Sequence, residues 1–288
     1  MILGVSAERE PIPFEVDHGR MVLSGESSGD GPPVVLLHGL TATRRYVVMG
    51  SRLLERRGYR LISYDARGHG SSSPAADRRA YEYSDLTVDL AAVLDRLAIE
   101  RAVLAGSSMG AATAMAFALE DPDRVAALVQ STPAYAGAPY ADAAGLRRWE
   151  ALADGLERDG VDGFLAVYDP RVAERWREPM VRLVRQRLER HRHLDALADA
   201  LRIVPRSAAF SGIDQLERVE VPTLVVGSRD DADSEHPLAV AEAYVERLPN
   251  AELVVEEPGK SPLAWRGAQV SRAIDDFLRR RVPDFAPA

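Results

Sequence analysis

Residues Gly106-Ser107-Ser108-Met109-Gly110 form a G-x-S-x-G between the apolar run "RAVLAGSS" and a stretch of small residues with helical character. A strand that turns sharply into a helix at this point crowds its own backbone, and the two glycines leave no side chain in the way. Ser108 is then pushed up at the helix N-terminus with its hydroxyl exposed, rather than serving with Ser107 as an ordinary helix cap. The N–H of Met109, next in the chain and also at the helix N-terminus, is well placed to stabilise a developing oxyanion. These residue types at this spacing would present a serine hydroxyl beside an oxyanion-stabilising N–H, the parts that nucleophilic catalysis uses. A serine needs a base to do this at neutral pH, so the rest of the chain must supply one.

Composition bounds the search. The chain has 288 residues, 46% of them hydrophobic, enough for one large α/β domain with an added subdomain. A net charge of -8 argues against a nucleic-acid partner, which needs a basic field or face. The Arg-rich piece from Arg171 to His193 interleaves acids with its arginines, as the solvated face of a helix does. With no cysteine, thiolate nucleophiles, disulfides and Cys-ligated metals are excluded. The first ten residues lack the basic and apolar regions of a secretory signal, so a cytoplasmic location is expected. Ala102 to Leu119 carries no charge and contains a G-x-x-x-G, but a buried strand, a turn and a small-residue helix explain it without a membrane.

The elements that must position Ser108 follow from periodicity. "PIPFEVDHGRMVLSGES" reads as a hairpin through His18-Gly19, and "PPVVLLHG" as a strand buried on both faces. A helix from about Thr43 to Arg57, the strand and loop "YRLISYDARGHG", a helix around Leu86 to Leu97, and the strands "RAVLAGSS" and "VAALVQSTP" then alternate. This order implies a mostly parallel sheet with helices on both faces. From Ala134 to about Gly212 only amphipathic helical segments occur: Leu146 to Leu156, Gly163 to Tyr168 and Pro179 to His193. "VEVPTLVVGSRDD", a helix from about Pro237 to Leu248, the strand "AELVVEE" and a helix from about Trp265 to Arg281 complete the pattern. The expected organisation is therefore a core of 1–133 and 213–288 interrupted by a helical cap over 134–212.

Taken together, "LLHGLTAT", "YDARGHGSSS", "GSSMG" and "PTLVVGSRDD", in that order and with a helical insertion before the last, resemble the α/β-hydrolase superfamily over almost the whole chain. The resemblance implies an α/β-hydrolase fold, Ser108 as nucleophile, and an oxyanion hole made by the backbone N–H groups of Leu40 and Met109. It implies Asp230 as the triad acid, three residues past Gly227, with Asp231 and Asp233 as rivals. It makes His38 and His69 structural loop residues, and Asp65 and Arg67 an internal polar anchor. An aspartate at the elbow would have suggested dehalogenase or epoxide-hydrolase chemistry; Ser108 argues against both.

One departure stands out. The superfamily's general base is a histidine after the last strand, and here the position reads Gly259-Lys260. Lys260 is the sole lysine among 36 basic residues. Three alternatives are open. Lys260 is the base, which requires it to be neutral and sits poorly beside an Asp230 carboxylate that would hold it protonated. Or His236, in "DSEHP" after the acid loop, takes the proton. Or hydrolysis has been lost, leaving a ligand-binding protein or a non-hydrolytic enzyme with the same pocket. The expectation carried forward is a serine-dependent hydrolase of a small carboxylic ester, lactone or related acyl compound. It is expected to need no metal or organic cofactor and to have no nucleic-acid or membrane partner.

Overall fold

A computed structural model of the protein describes residues 10–137, 143–229, 235–258 and 266–287. Eight strands form one sheet: β1 Ile12–His18, β2 Met21–Ser28, β3 Pro33–Leu37, β4 Arg60–Tyr64, β5 Ala102–Ser107, β6 Val125–Ser131, β7 Thr223–Gly227 and β8 Ala251–Val255. Their order is β1-β2-β4-β3-β5-β6-β7-β8, with β1/β2 and β2/β4 antiparallel and every other pair parallel. The chain runs outward in one direction from β3 to β4 and then returns past β3 to β5. The C-terminal ends of β3 and β5 thus border the crevice where an open α/β sheet binds its ligands.

Alternation along the central strands explains the layers. In β3, Val35 and Leu37 join one apolar core while Val34 and Leu36 join another; in β5, Leu104 and Val103 divide in the same way. A strand covered on both faces has no polar side to show, hence its continuous apolar run. The first core includes α2 Tyr83–Arg96, α3 Met109–Glu120 and α7 Leu238–Arg247. The second is closed by α1 Leu53–Arg56 and α8 Gly267–Arg281, through Leu54, Ile274, Phe277 and Leu278.

Between β6 and β7 the described chain is helical: α4 Ala143–Val167, α5 Glu174–Leu188, α6 Leu194–Ile203 and two 3₁₀ turns. The two expected segments at 146–156 and 163–168 are the two helical pieces of α4, separated where Asp159 and Gly160 leave helical geometry. Arginines on the outer side of this insertion pair with acids, as Arg182 does with Glu178 and Arg185 with Asp162. The expected helix over 43–57 is instead a 3₁₀ turn, Arg44–Tyr46, and the short α1. Asp65 captures both the backbone N–H and the guanidinium of Arg44, and left-handed backbone at Met49 and Gly50 interrupts any longer helix. Among the described residues, no helix is long and apolar enough to cross a membrane. The uncharged stretch from Ala102 divides into β5, the turn at Ser108 and α3.

Candidate active site

Ser108 lies between β5 and α3 with φ 52° and ψ −113°, a backbone conformation that costs a non-glycine residue about 1–3 kcal/mol. Close packing of the turn accounts for its persistence. A Cβ on Gly106 would stand 2.2 Å from the Gly110 carbonyl oxygen, and one on Gly110 would stand 2.1 Å from that of Leu37. Only glycine at both positions lets α3 start directly over the ends of β5 and β3. Ser108 donates its own N–H to Ser131 O on β6 at 3.1 Å, which ties the turn to the next strand.

The Ser108 side chain faces a cavity of about 450 Å³. One wall is the loop after β3, including Gly39, Leu40 and Ala42; Met109 belongs to the floor. The insertion supplies much of the opposite wall, with Trp149, Leu152, Phe164, Met180 and Val184. Arg187 of α5 adds a cation to this lining, its guanidinium carbon 5.3 Å from the centre of the Tyr46 ring.

Of the expected bases, His236 is the one that the described residues bring to Ser108. Its Nε2 lies 2.9 Å from Ser108 Oγ, and the ring is half-buried in the cavity wall, just ahead of α7. Arg148 of α4 braces this segment, pairing with the Glu235 carboxylate and donating to Asp169 O at 3.0 Å. Lys260, Asp230, Asp231 and Asp233 lie outside the described residues. On the stems that lead to them, the buried Glu256 accepts the Arg229 N–H at 2.8 Å and lies 3.2 Å from the Ser228 hydroxyl. Sequence reasoning missed Glu256, Arg148 and Glu235, because a carboxylate on a polar loop or a guanidinium on a helix carries no signal until its partner is known.

His38 and His69 are buried and do not line this cavity. His38 donates from Nδ1 to Gly39 O at 2.8 Å and accepts at Nε2 from Ala66 N–H at 3.0 Å. Burial, then the neighbouring His69, push its pKa down to about 4. Both nitrogens of His69 face carbonyl oxygens, Leu40 O at 2.7 Å and Arg67 O at 2.9 Å. Burial lowers its pKa, while the contacts with Arg67 O and Leu40 O and the Asp65 carboxylate act in the opposite direction. Arg67 holds Asp89 through two bonds of 2.7 Å and also reaches Ala80 O, buried beneath the same loop.

Comparison with known proteins agrees with this architecture. Over 257 residues the chain is 30% identical to the 2-hydroxy-6-oxononadienedioate/2-hydroxy-6-oxononatrienedioate hydrolase 2 of Pseudomonas putida, covering 85% of this chain and 87% of that protein. It is 26% identical over 271 residues to a putative 2-succinyl-6-hydroxy-2,4-cyclohexadiene-1-carboxylate synthase of Bacillus subtilis, covering 91% and 96%. Among solved structures, a thermophilic esterase from Thermogutta terrifontis superposes with a TM-score of 0.75 at 25% identity, covering 94% of this chain and 99% of that one. The family model of the alpha/beta hydrolase fold matches residues 32–274. With its strand order, its strained serine turn and this match over most of its length, the chain belongs to the alpha/beta hydrolase fold family.

Proposed function

We propose that the protein is a serine-dependent hydrolase of small carboxylic esters, lactones or related acyl compounds, with Ser108 as nucleophile and His236 as its general base. The observation that carries this is the 2.9 Å contact between His236 Nε2 and Ser108 Oγ at the floor of the cavity. In this reading the Ser108 hydroxyl donates to Nε2, which takes the proton as Oγ attacks the acyl carbon. The oxyanion forms against the N–H groups of Leu40 and Met109. The tetrahedral intermediate collapses, His236 returns the proton to the departing alkoxide, and water repeats the sequence to free Ser108. Asp230 is the acid proposed to orient His236. Lys260 is then not the base, since a lysine kept with the Asp230 carboxylate would stay protonated.

Two features support an acyl substrate that carries a carboxylate. Arg187 lies in the cavity wall, and the relative from Pseudomonas putida is named for hydrolysis of dioates. The test is labelling by a fluorophosphonate, followed by intact-mass analysis of the wild type and Ser108→Ala, with hydrolysis of p-nitrophenyl acetate and of a p-nitrophenyl half-ester of succinate measured alongside. Labelling and turnover that vanish in Ser108→Ala, with a lower KM for the half-ester, are expected. A folded wild type that neither labels nor turns over would favour the ligand-binding alternative, and equal KM values would remove the carboxylate preference.

A further inference from the structure

Three of the six histidines cluster at the loop that follows β3, His38 and His69 tilted with ring centres 5.0 Å apart and His69 and His191 edge-on at 5.6 Å. Their Nδ1 or Nε2 atoms meet three consecutive carbonyl oxygens: His38 Nδ1 with Gly39 O at 2.8 Å, His69 Nε2 with Leu40 O at 2.7 Å, and His191 Nε2 with Thr41 O at 3.3 Å. His191 comes from the helical insertion, in the turn between α5 and α6, whereas the other two belong to the core. Its remaining nitrogen, Nδ1, accepts the Gly70 N–H at 3.0 Å, and the next residue, Arg192, donates its N–H to Gly70 O at 2.9 Å. The insertion is thus fastened to both polar groups of Gly70 and to the loop that carries Leu40.

A peptide unit is planar, so the direction of a carbonyl fixes the direction of the N–H on the same plane. The Gly39 carbonyl shares its plane with the Leu40 N–H. His38 holds that plane directly, and the bonds to Leu40 O and Thr41 O hold the two that follow. We propose that His191 is a positioning residue for the oxyanion hole: by bonding Thr41 O it holds the plane that carries the Ala42 N–H, which donates to Gly39 O at 2.9 Å and so steadies the plane of the Leu40 N–H, while its bond to Gly70 seats the helical insertion on the loop after β3. This rests on the serine-hydrolase reading for its catalytic consequence, though not for the clamp itself. The rings do not converge on a common point that could hold an ion, since each nitrogen is turned to backbone. A neutral His191 suits the role, because Nδ1 must accept while Nε2 donates; burial, then His69, lower its pKa to about 3.

The test compares His191→Phe, which keeps the ring volume but neither bond, with His191→Gln, which keeps a donor and an acceptor. On p-nitrophenyl acetate the Phe variant is expected to lose about ten- to fifty-fold in kcat with KM within about threefold, below the loss of a whole oxyanion donor. The Gln variant should recover to within about fivefold of the wild type. Amide hydrogen exchange, read by mass spectrometry, should quicken over residues 39–42 in the Phe variant while 102–107 stay protected. A kcat within twofold of the wild type, a loss carried by KM, or unchanged exchange over 39–42 would each overturn the proposal. If the Phe variant does not fold, the same split is read on His191→Asn, too short to hold both partners. If the wild type neither labels nor turns over, the serine-hydrolase reading fails on its own account, and exchange alone decides whether His191 clamps the loop.

Discussion

Four of the histidines divide into two regions with opposite surroundings. On one side His38, His69 and His191 are buried, packed ring against ring and bonded to backbone. On the other, His236 is half-buried in the cavity wall and its ring nitrogen meets a hydroxyl. The difference teaches that a histidine's use is set by what its second hydrogen-bonding atom faces. A ring whose nitrogens are both spent on main chain has no site left for a substrate proton, and burial keeps it neutral through the pH range where catalysis would need it to change. The ring that meets Oγ keeps that capacity.

The largest effect separates the two regions through the base. His236→Ala is expected to lower kcat by about a thousandfold or more, while Lys260→Arg, which cannot accept a proton, leaves kcat within a few-fold of the wild type. Steady-state rates of the two variants decide between them. The opposite pattern would transfer the base to Lys260 and break the comparison.

The next effect concerns the support of each region. Arg148→Met removes the guanidinium that pairs with Glu235 beside His236. It is expected to lower kcat by about five- to twentyfold through misplacement of the ring, and Arg148→Lys should restore part of it. Fluorophosphonate labelling rates that fall in the same proportion would sharpen the contrast with His191, whose loss acts on the oxyanion side. Unchanged rates in Arg148→Met would show that the His236 segment needs no brace from α4.

The smallest effect is on stability against acid. His38 and His191 have native pKa values lowered to about 4 and about 3 from an ordinary 6.5, by burial first and by neighbouring histidines next. Between pH 6.5 and these values the unfolded chain binds more protons than the native one, so native stability is full above pH 6.5 and declines as pH falls toward 3–4. Asp65 opposes the shift at His38, and Arg44 adds to it. His191→Gln removes one of the titrating rings. The gap in urea midpoint between the wild type and this variant, largest at pH 7, is therefore expected to narrow by pH 4.5. A gap that is constant with pH would mean that His191 is not held neutral by its burial.

What the sequence determined by itself was the frame. Continuous apolar runs in β3 and β5 could belong only to strands covered on both faces, and G-x-S-x-G between a strand and a small-residue helix required the turn that strains Ser108. The ranges of α2, α7 and α8 were legible to within a few residues, because their apolar periods and end residues are local signals. Residues 43–57 were not, since the capture of Arg44 by Asp65 is a contact across 21 positions that outweighs local helix preference. The base shows the same limit. The family resemblance led to Lys260 and Asp230, which lie outside the described residues, and left His236 as the base in one of three open readings. That His236 meets Ser108 across 128 positions, and that His191 crosses 150 to reach Thr41, are decisions of tertiary structure. A hydrogen bond is defined by atoms within about 3 Å, and sequence carries no measure of that distance until helices and sheet are packed.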